Sequence, residues 1–208
     1  MSSRRDLARR LGVVDGFRSP SPALEQYRTP PEIAAHLVHE ADLHGAIEGH
    51  TVVDLGTGTG MLALGAALRG PDRVVGIELD RDALSIAREN ERRVGTTASV
   101  HWVRGDARAP PLRTDPDDTT VLMNPPFGAR FGNEGADRDF LEVARRLASV
   151  SYSLHNAGSE SFVRAYADDH GASVTHAYEV AFDVPRQFEH HTEASATLET
   201  ELFRIEWE

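Results

Sequence analysis

Apolar residues along this chain fall in short runs divided by turn chemistry, and the period of the runs alternates. Leu7 and Leu11 lie four residues apart in Arg4 to Leu11, the spacing of one helix face, and a Ser-Pro-Ser-Pro turn from Ser19 to Pro22 closes that segment. Thr29 reads as an N-cap with Pro30 at the first helical position, opening a helix to about Leu43. From Thr51 onward strands and helices take turns. Strands are expected at Thr51 to Leu55, Arg73 to Glu78, Ala98 to Val103, Thr119 to Met123 and Val150 to Leu154. The intervening helices are expected at Gly60 to Leu68, Arg81 to Val94, Asp139 to Leu147 and Glu160 to Asp168. Ala172 to Asp183 and Ala196 to Glu206 alternate as paired strands do. The polar, glycine-rich stretch Phe127 to Asp137 reads as a mobile loop.

Strands alternating with helices imply an α/β domain: a mostly parallel sheet with helices on both faces. Two closing strands without a helix between them add an antiparallel edge strand, for a seven-stranded, Rossmann-like sheet. No internal repeat is present, and 208 residues suit a single domain. Within it, residues 1–45 form an N-terminal helical segment packed on a core of residues 46–208.

Composition narrows the chemistry. No apolar run approaches the ~20 residues of a membrane span, and Met1-Ser2-Ser3-Arg4 lacks the apolar core of a secretory signal, so a cytoplasmic protein is expected. The absence of cysteine removes disulfides, thiolate zinc sites and thiol nucleophiles. The adjacent pair His190-His191 reads as solvated, and no metal site is expected. The net charge is −11, and all 22 basic residues are arginine. A genome rich in arginine codons and a salt-adapted, halophilic cytoplasm together account for both features. At molar salt the Debye length falls to ~3 Å, so an acidic chain can still approach nucleic acid.

Asp54-Leu55-Gly56-Thr57-Gly58-Thr59-Gly60 lies between a strand and a helix, where glycines let the backbone turn sharply and approach a ligand. Its spacing, with a leading carboxylate, differs from the G-x-G-x-x-G of dinucleotide enzymes. Glu78 ends the next apolar run, where a carboxylate can accept both hydroxyls of a ribose, and Asp106 follows the third strand, where it can meet an adenine amino group. An acidic pocket also suits a sulfonium. These three positions together resemble the nucleotide site of class I methyltransferases.

Asn124-Pro125-Pro126-Phe127 follows the fourth strand. A conjugated amine is a poor nucleophile because its lone pair is delocalised. The Asn124 side-chain carbonyl and the Pro125 backbone carbonyl can take the two N–H bonds and aim that lone pair, which is catalysis by positioning. The prolines stiffen the arrangement, and Phe127 can stack on a base drawn out of its helix. The tetrapeptide is common to adenine-N6, cytosine-N4 and glutamine-N5 methyltransferases.

Leu11 to Phe17, Leu24-Glu25-Gln26-Tyr27-Arg28-Thr29-Pro30, the glycine turn, Asn124 to Gly128, and Tyr152-Ser153-Leu154-His155 occur in the order seen in the methyltransferase-like protein 5 family. The chain resembles that family and its archaeal relatives over its whole length. The resemblance implies an S-adenosylmethionine-dependent enzyme acting on adenine N6 of small-subunit ribosomal RNA. It implies donor contacts from Gln26, Thr29, Asp54, Gly56, Gly58, Thr59, Met61, Glu78, Asp106 and Ala107, with residues 1–45 contributing to that pocket. Asn124, Pro125, Pro126 and Phe127 would form the catalytic loop, and a small zinc-binding activator protein would be the partner. Two departures stand out: Thr57 and Thr59 replace frequent cysteines, and Glu189-His190-His191-Thr192-Glu193 replaces a basic run. Competing readings are a glutamine-N5 methyltransferase, which would need a helical substrate domain this chain has no room for, and a non-catalytic donor-binding factor in ribosome assembly.

Overall fold

In the computed structural model, residues 3–126, 135–185 and 195–208 are described, the side chains of 179–185 and 195–198 excepted. Phe127, the His190-His191 pair and the Glu189 to Glu193 segment lie outside the described residues. The helices are α1 (Arg4–Leu11), α2 (Pro31–Leu43), α3 (Met61–Ala67), α4 (Arg81–Val94), α5 (Ala136–Leu147) and α6 (Glu160–Asp169). The strands are β1 (Thr51–Leu55), β2 (Arg73–Glu78), β3 (Val100–Arg104), β4 (Thr119–Met123), β5 (Val150–Asn156), β6 (Ser173–Pro185) and β7 (Ser195–Glu206).

They form one seven-stranded sheet in the order β3-β2-β1-β4-β5-β7-β6, with β1 to β5 parallel. The closing pair makes the antiparallel edge. Strand β7 runs against the others and pairs with β5, and β6 lies outermost. After β3 the chain returns to the far side of β1 to lay down β4, so the order reverses at β1. The carboxyl ends of β1 and β4 therefore part into a crevice, where open α/β sheets bind their ligands.

Successive strand residues point to opposite faces, and the two faces are buried separately. Val52, Val74 and Leu122 pack on Leu11, Leu37 and Leu64 of the α1–α3 side, whereas Val53, Ile77 and Val121 pack on Phe140, Leu141 and Val163 of the α5–α6 side. Leu7 and Leu11 are both buried, so α1 closes the core. A capping box between Ser3 and Asp6 fixes its start.

Strand β3 begins at Val100, two residues after the expected Ala98, and the starts of α3, β6 and β7 shift by one; two helix starts differ for reasons of local chemistry. Helix α2 begins at Pro31, with Pro30 as its N-cap at φ −57° and ψ 141°. A residue before proline is pushed out of the helical region, so Pro30 cannot open the helix, and Thr29 falls one residue outside it. Helix α5 begins three residues before Asp139, because Asp137 and Asp139 form an acidic first turn that favours the positive end of the helix dipole. The loop expected through Asp137 thus ends at Gly135. Among the described residues, no helix is long and apolar enough to cross a membrane.

Trp102 of β3 lies across β2 and the turn after β1, and its indole N–H donates to Glu91 Oε2 at 2.8 Å. A Cβ on Gly76 would meet its ring at 2.7 Å, as would one on Gly60. Gly76→Ala should therefore cost about 1–3 kcal/mol by overpacking, read as a fall of several degrees in the thermal midpoint. An unchanged midpoint would show that Trp102 can move aside.

Candidate active site

The chain leaves β1 through a turn whose glycines, Gly56, Gly58 and Gly60, all take positive φ, between 55° and 95°. Such angles are free of strain only without a Cβ. Asp54 holds this turn from beneath. Its Oδ2 accepts the Thr57 hydroxyl at 2.5 Å and the Ala63 N–H at 2.9 Å, tying the end of β1 to α3. Burial drives the carboxyl from its ordinary 3.8 up to about 7, against the lowering effect of both hydrogen bonds. Nearby Glu78 adds to the rise.

Glu78 ends β2 on the opposite wall. Its Oε2 accepts the Gly58 N–H at 2.9 Å and its Oε1 the Asp80 N–H at 2.8 Å. The Leu79 backbone N–H bears on the same carboxylate, which offers about four acceptor positions in all, so three backbone donors leave it limited further capacity. Burial raises this group as well. Asp106 is gripped by Arg108, whose Nε reaches Oδ1 at 3.1 Å and whose Nη2 reaches Oδ2 at 2.9 Å. That grip and the desolvation it outweighs leave Asp106 below its ordinary value.

The connection ahead of α2 crosses the cavity as a strap. Gln26 is buried; its Oε1 accepts the Ser21 N–H at 2.8 Å, and its Nε2 donates to Asp80 Oδ2 at 2.8 Å. Further along, the Tyr27 hydroxyl donates to Asn124 Oδ1 at 3.0 Å, and Asn124 Nδ2 donates to Thr29 Oγ1 at 2.9 Å. Thr29, displaced from the helix start by Pro30, thus serves the cavity.

Gln26, Thr29, Asp54, Gly56, Gly58 and Thr59 line one cavity, and so do Met61, Glu78, Asp106, Ala107, Asn124 and Pro126. Pro125 is buried behind that wall and is not part of its lining. The sequence reading missed several further contributors. Tyr27 sits on Asn124, Asp80 on Gln26, and the Phe17 ring covers Gly58, where a Cβ would lie 3.0 Å away. Asn90, fully buried on α4, donates to the carbonyls of Asp15 and Thr59 and accepts the Asp15 N–H at 2.9 Å. It pins the N-terminal segment to the glycine turn. Its signal was present in the sequence: an amide on the face that carries Ala83 and Ala87.

A sheet of this order, with its glycine turn and its Asn-Pro-Pro corner opening into one cleft at the β1/β4 reversal, is the framework of the Rossmann-like methyltransferases. The chain belongs to the family described as the methyltransferase small domain, which matches residues 34–158. It is 39% identical to the Drosophila melanogaster protein named rRNA N(6)-adenosine-methyltransferase Mettl5, over 97% of this chain and 95% of the relative. The Danio rerio protein named rRNA N(6)-adenosine-methyltransferase METTL5 is 32% identical, over 97% of each. A crystal structure from Pyrococcus horikoshii, described as a candidate RNA methyltransferase, superposes with a TM-score of 0.86 at 35% identity, covering 100% of this chain and 98% of that one.

The raised Asp54 carboxyl makes stability depend on pH. The folded state holds its proton to higher pH than the unfolded chain does, so Asp54 contributes stability below about 4 that is lost as pH rises to about 7. The difference in unfolding free energy between the wild type and Asp54→Asn, taken from denaturant titrations, should fall across that window and level off above it. A difference that stays flat from pH 4 to 7 would place the group's titration elsewhere.

Proposed function

We propose that this chain transfers a methyl group from S-adenosylmethionine to N6 of an adenine in small-subunit ribosomal RNA. The observation that carries the reading is Asn124: its amide is held by hydroxyls at both ends and lines the same cavity as the glycine turn and Glu78.

The residues present suit the donor. Glu78 lines the cavity and, beyond its three backbone donors, keeps acceptor capacity for a ribose hydroxyl. The glycine turn brings backbone to the cavity where a side chain would strike Phe17 or Trp102. Gln26, Thr59, Met61 and Ala107 complete the wall, and Asp106 receives the adenine amino group by yielding part of its hold on Arg108. Asp54 works at one remove, by shaping the turn. Residues 1–45 act as one wall of this pocket through the strap. When bound, the donor supplies an electrophilic methyl group on a sulfonium.

On the acceptor side, an amide oxygen has two lone pairs, and Tyr27 occupies one on Asn124. The other takes one N–H bond of the adenine amino group, and the Pro125 carbonyl, brought to the cavity wall by the bound base, takes the second, turning the nitrogen lone pair toward the methyl. Pro126 and Phe127 supply the surface on which the base lies. No base catalyst is needed before transfer, since the nitrogen becomes acidic only once it is alkylated.

The substrate is supported by the names of the Drosophila and Danio relatives, which match over nearly their full lengths. The cytoplasm and a small zinc-binding activator as partner accompany that reading and rest on the family resemblance.

Small-subunit RNA from a deletion strain, incubated with the protein and labelled donor at high salt and with the activator present, should take up label as N6-methyladenosine. RNA from the parent strain should not. Label entering protein, or equal and negligible uptake by both RNAs, would overturn the reading. Asn124→Ala should lower kcat by about 100-fold or more while calorimetry finds donor binding intact; full turnover would remove Asn124 from the mechanism.

A further inference from the structure

An asparagine on a loop has a broad, soft χ2 torsion, and rotating it exchanges a carbonyl for an NH2 group. Only the carbonyl can receive an amino N–H; the NH2 end would confront the incoming amine with two more donors. Methyl transfer through Asn124 therefore depends on something that stops this rotation. The strap meets the requirement. Tyr27 touches the oxygen end at 3.0 Å and Thr29 the nitrogen end at 2.9 Å, so the amide is held at two points. Gln26 fixes the strap at its other side by its 2.8 Å bond to Asp80, just beyond β2. The phenol is also a dependable donor. Burial carries its ionisation well above the ordinary 10.0, outweighing the hydrogen bond to Asn124, so the O–H is present throughout any working range.

We propose that Tyr27 is a positioning residue for the reaction: its hydroxyl fixes the Asn124 amide with one oxygen lone pair turned toward the incoming amino group. Tyr27 acts through Asn124 and does not touch the reacting atoms. Thr29 completes the arrangement from the amide's nitrogen end. The inference rests on the methyl-transfer reading above.

Tyr27→Phe keeps the ring and removes only the O–H. At saturating donor and RNA it should lower kcat by about tenfold, with the donor Kd, by calorimetry, within about twofold of the wild type. Because Tyr27 works through Asn124, the double variant Tyr27→Phe/Asn124→Ala should be no slower than Asn124→Ala alone. Losses that multiply, an unaltered kcat, or a donor Kd that weakens in step with kcat would each overturn the proposal. The side-chain amide signal of Asn124 in a 15N–1H spectrum, assigned by its disappearance in Asn124→Ala, separates this result from the functional reading. Its displacement in Tyr27→Phe supports the positioning contact even if the wild type methylates no RNA, which would sink only that reading. A signal that stays in place would sink the contact itself.

Discussion

Asp54 accepts hydrogen bonds from Thr57 and Ala63, and through them the end of β1, the glycine turn and the first turn of α3 hold one shape. The remaining contacts follow from that shape. Gly58 can offer its N–H to Glu78 because the turn is held in place, and Glu78 in turn takes the Asp80 N–H. Asp80 then anchors Gln26, and the strap that Gln26 begins reaches Asn124. Short polar contacts thus circle the cavity. A buried carboxyl is an expensive way to start such a ring. Its compensation is that one side chain answers both a hydroxyl and a helix N–H that would otherwise lie buried without an acceptor.

Where local chemistry decides the structure, the sequence was readable. Strands β1, β2 and β4 and helix α4 lie where their apolar runs place them, and α4 has Asp80 as its cap and Gly95 in the left-handed conformation after its last turn. The convergence of the glycine turn, Glu78 and Asp106 on one cavity was legible for a similar reason: each ends or follows a strand, and the strands of a parallel sheet end on one side. The strap was not. Tyr27 and Asn124 are 97 residues apart, and no periodicity tells which side chains of an extended stretch face inward. Thr29 was misread as a cap because a Thr-Pro pair satisfies that pattern; the second proline changes the outcome by holding Pro30 extended. Asn90 carried a local signal, but its partners at Asp15 and Thr59 could be seen only in three dimensions.

The charge pattern takes on meaning once the ion pairs are placed. Several arginines are bound to acids a few residues away: Arg9 to Asp6, Arg145 to Glu142 and Arg164 to Glu160. Exposed pairs of this kind contribute little to stability and weaken further in salt. They are better understood as a way of carrying charge on the surface than as a source of stability. Asp106 and Arg108 form the same kind of half-exposed pair at the cavity mouth, so a ligand offering a comparable hydrogen bond can replace part of it at little cost. The buried carboxylates of the site, Asp54 and Glu78, instead rely on neutral backbone and hydroxyl donors, which salt does not screen.

The strap from Ser21 to Thr29 gives the site a temporal property as well as a spatial one. Gln26 latches it to Asp80 beyond β2, while Tyr27 and Thr29 hold the two ends of the Asn124 amide. An opening wide enough to let the demethylated donor leave would draw these hydroxyls away from Asn124. On the proposed function, release and disassembly of the acceptor geometry would then be a single event. Enzymes are often limited by such opening rather than by chemistry. Here the same few residues would govern both steps, so stiffening the strap would align Asn124 better and slow turnover at the same time.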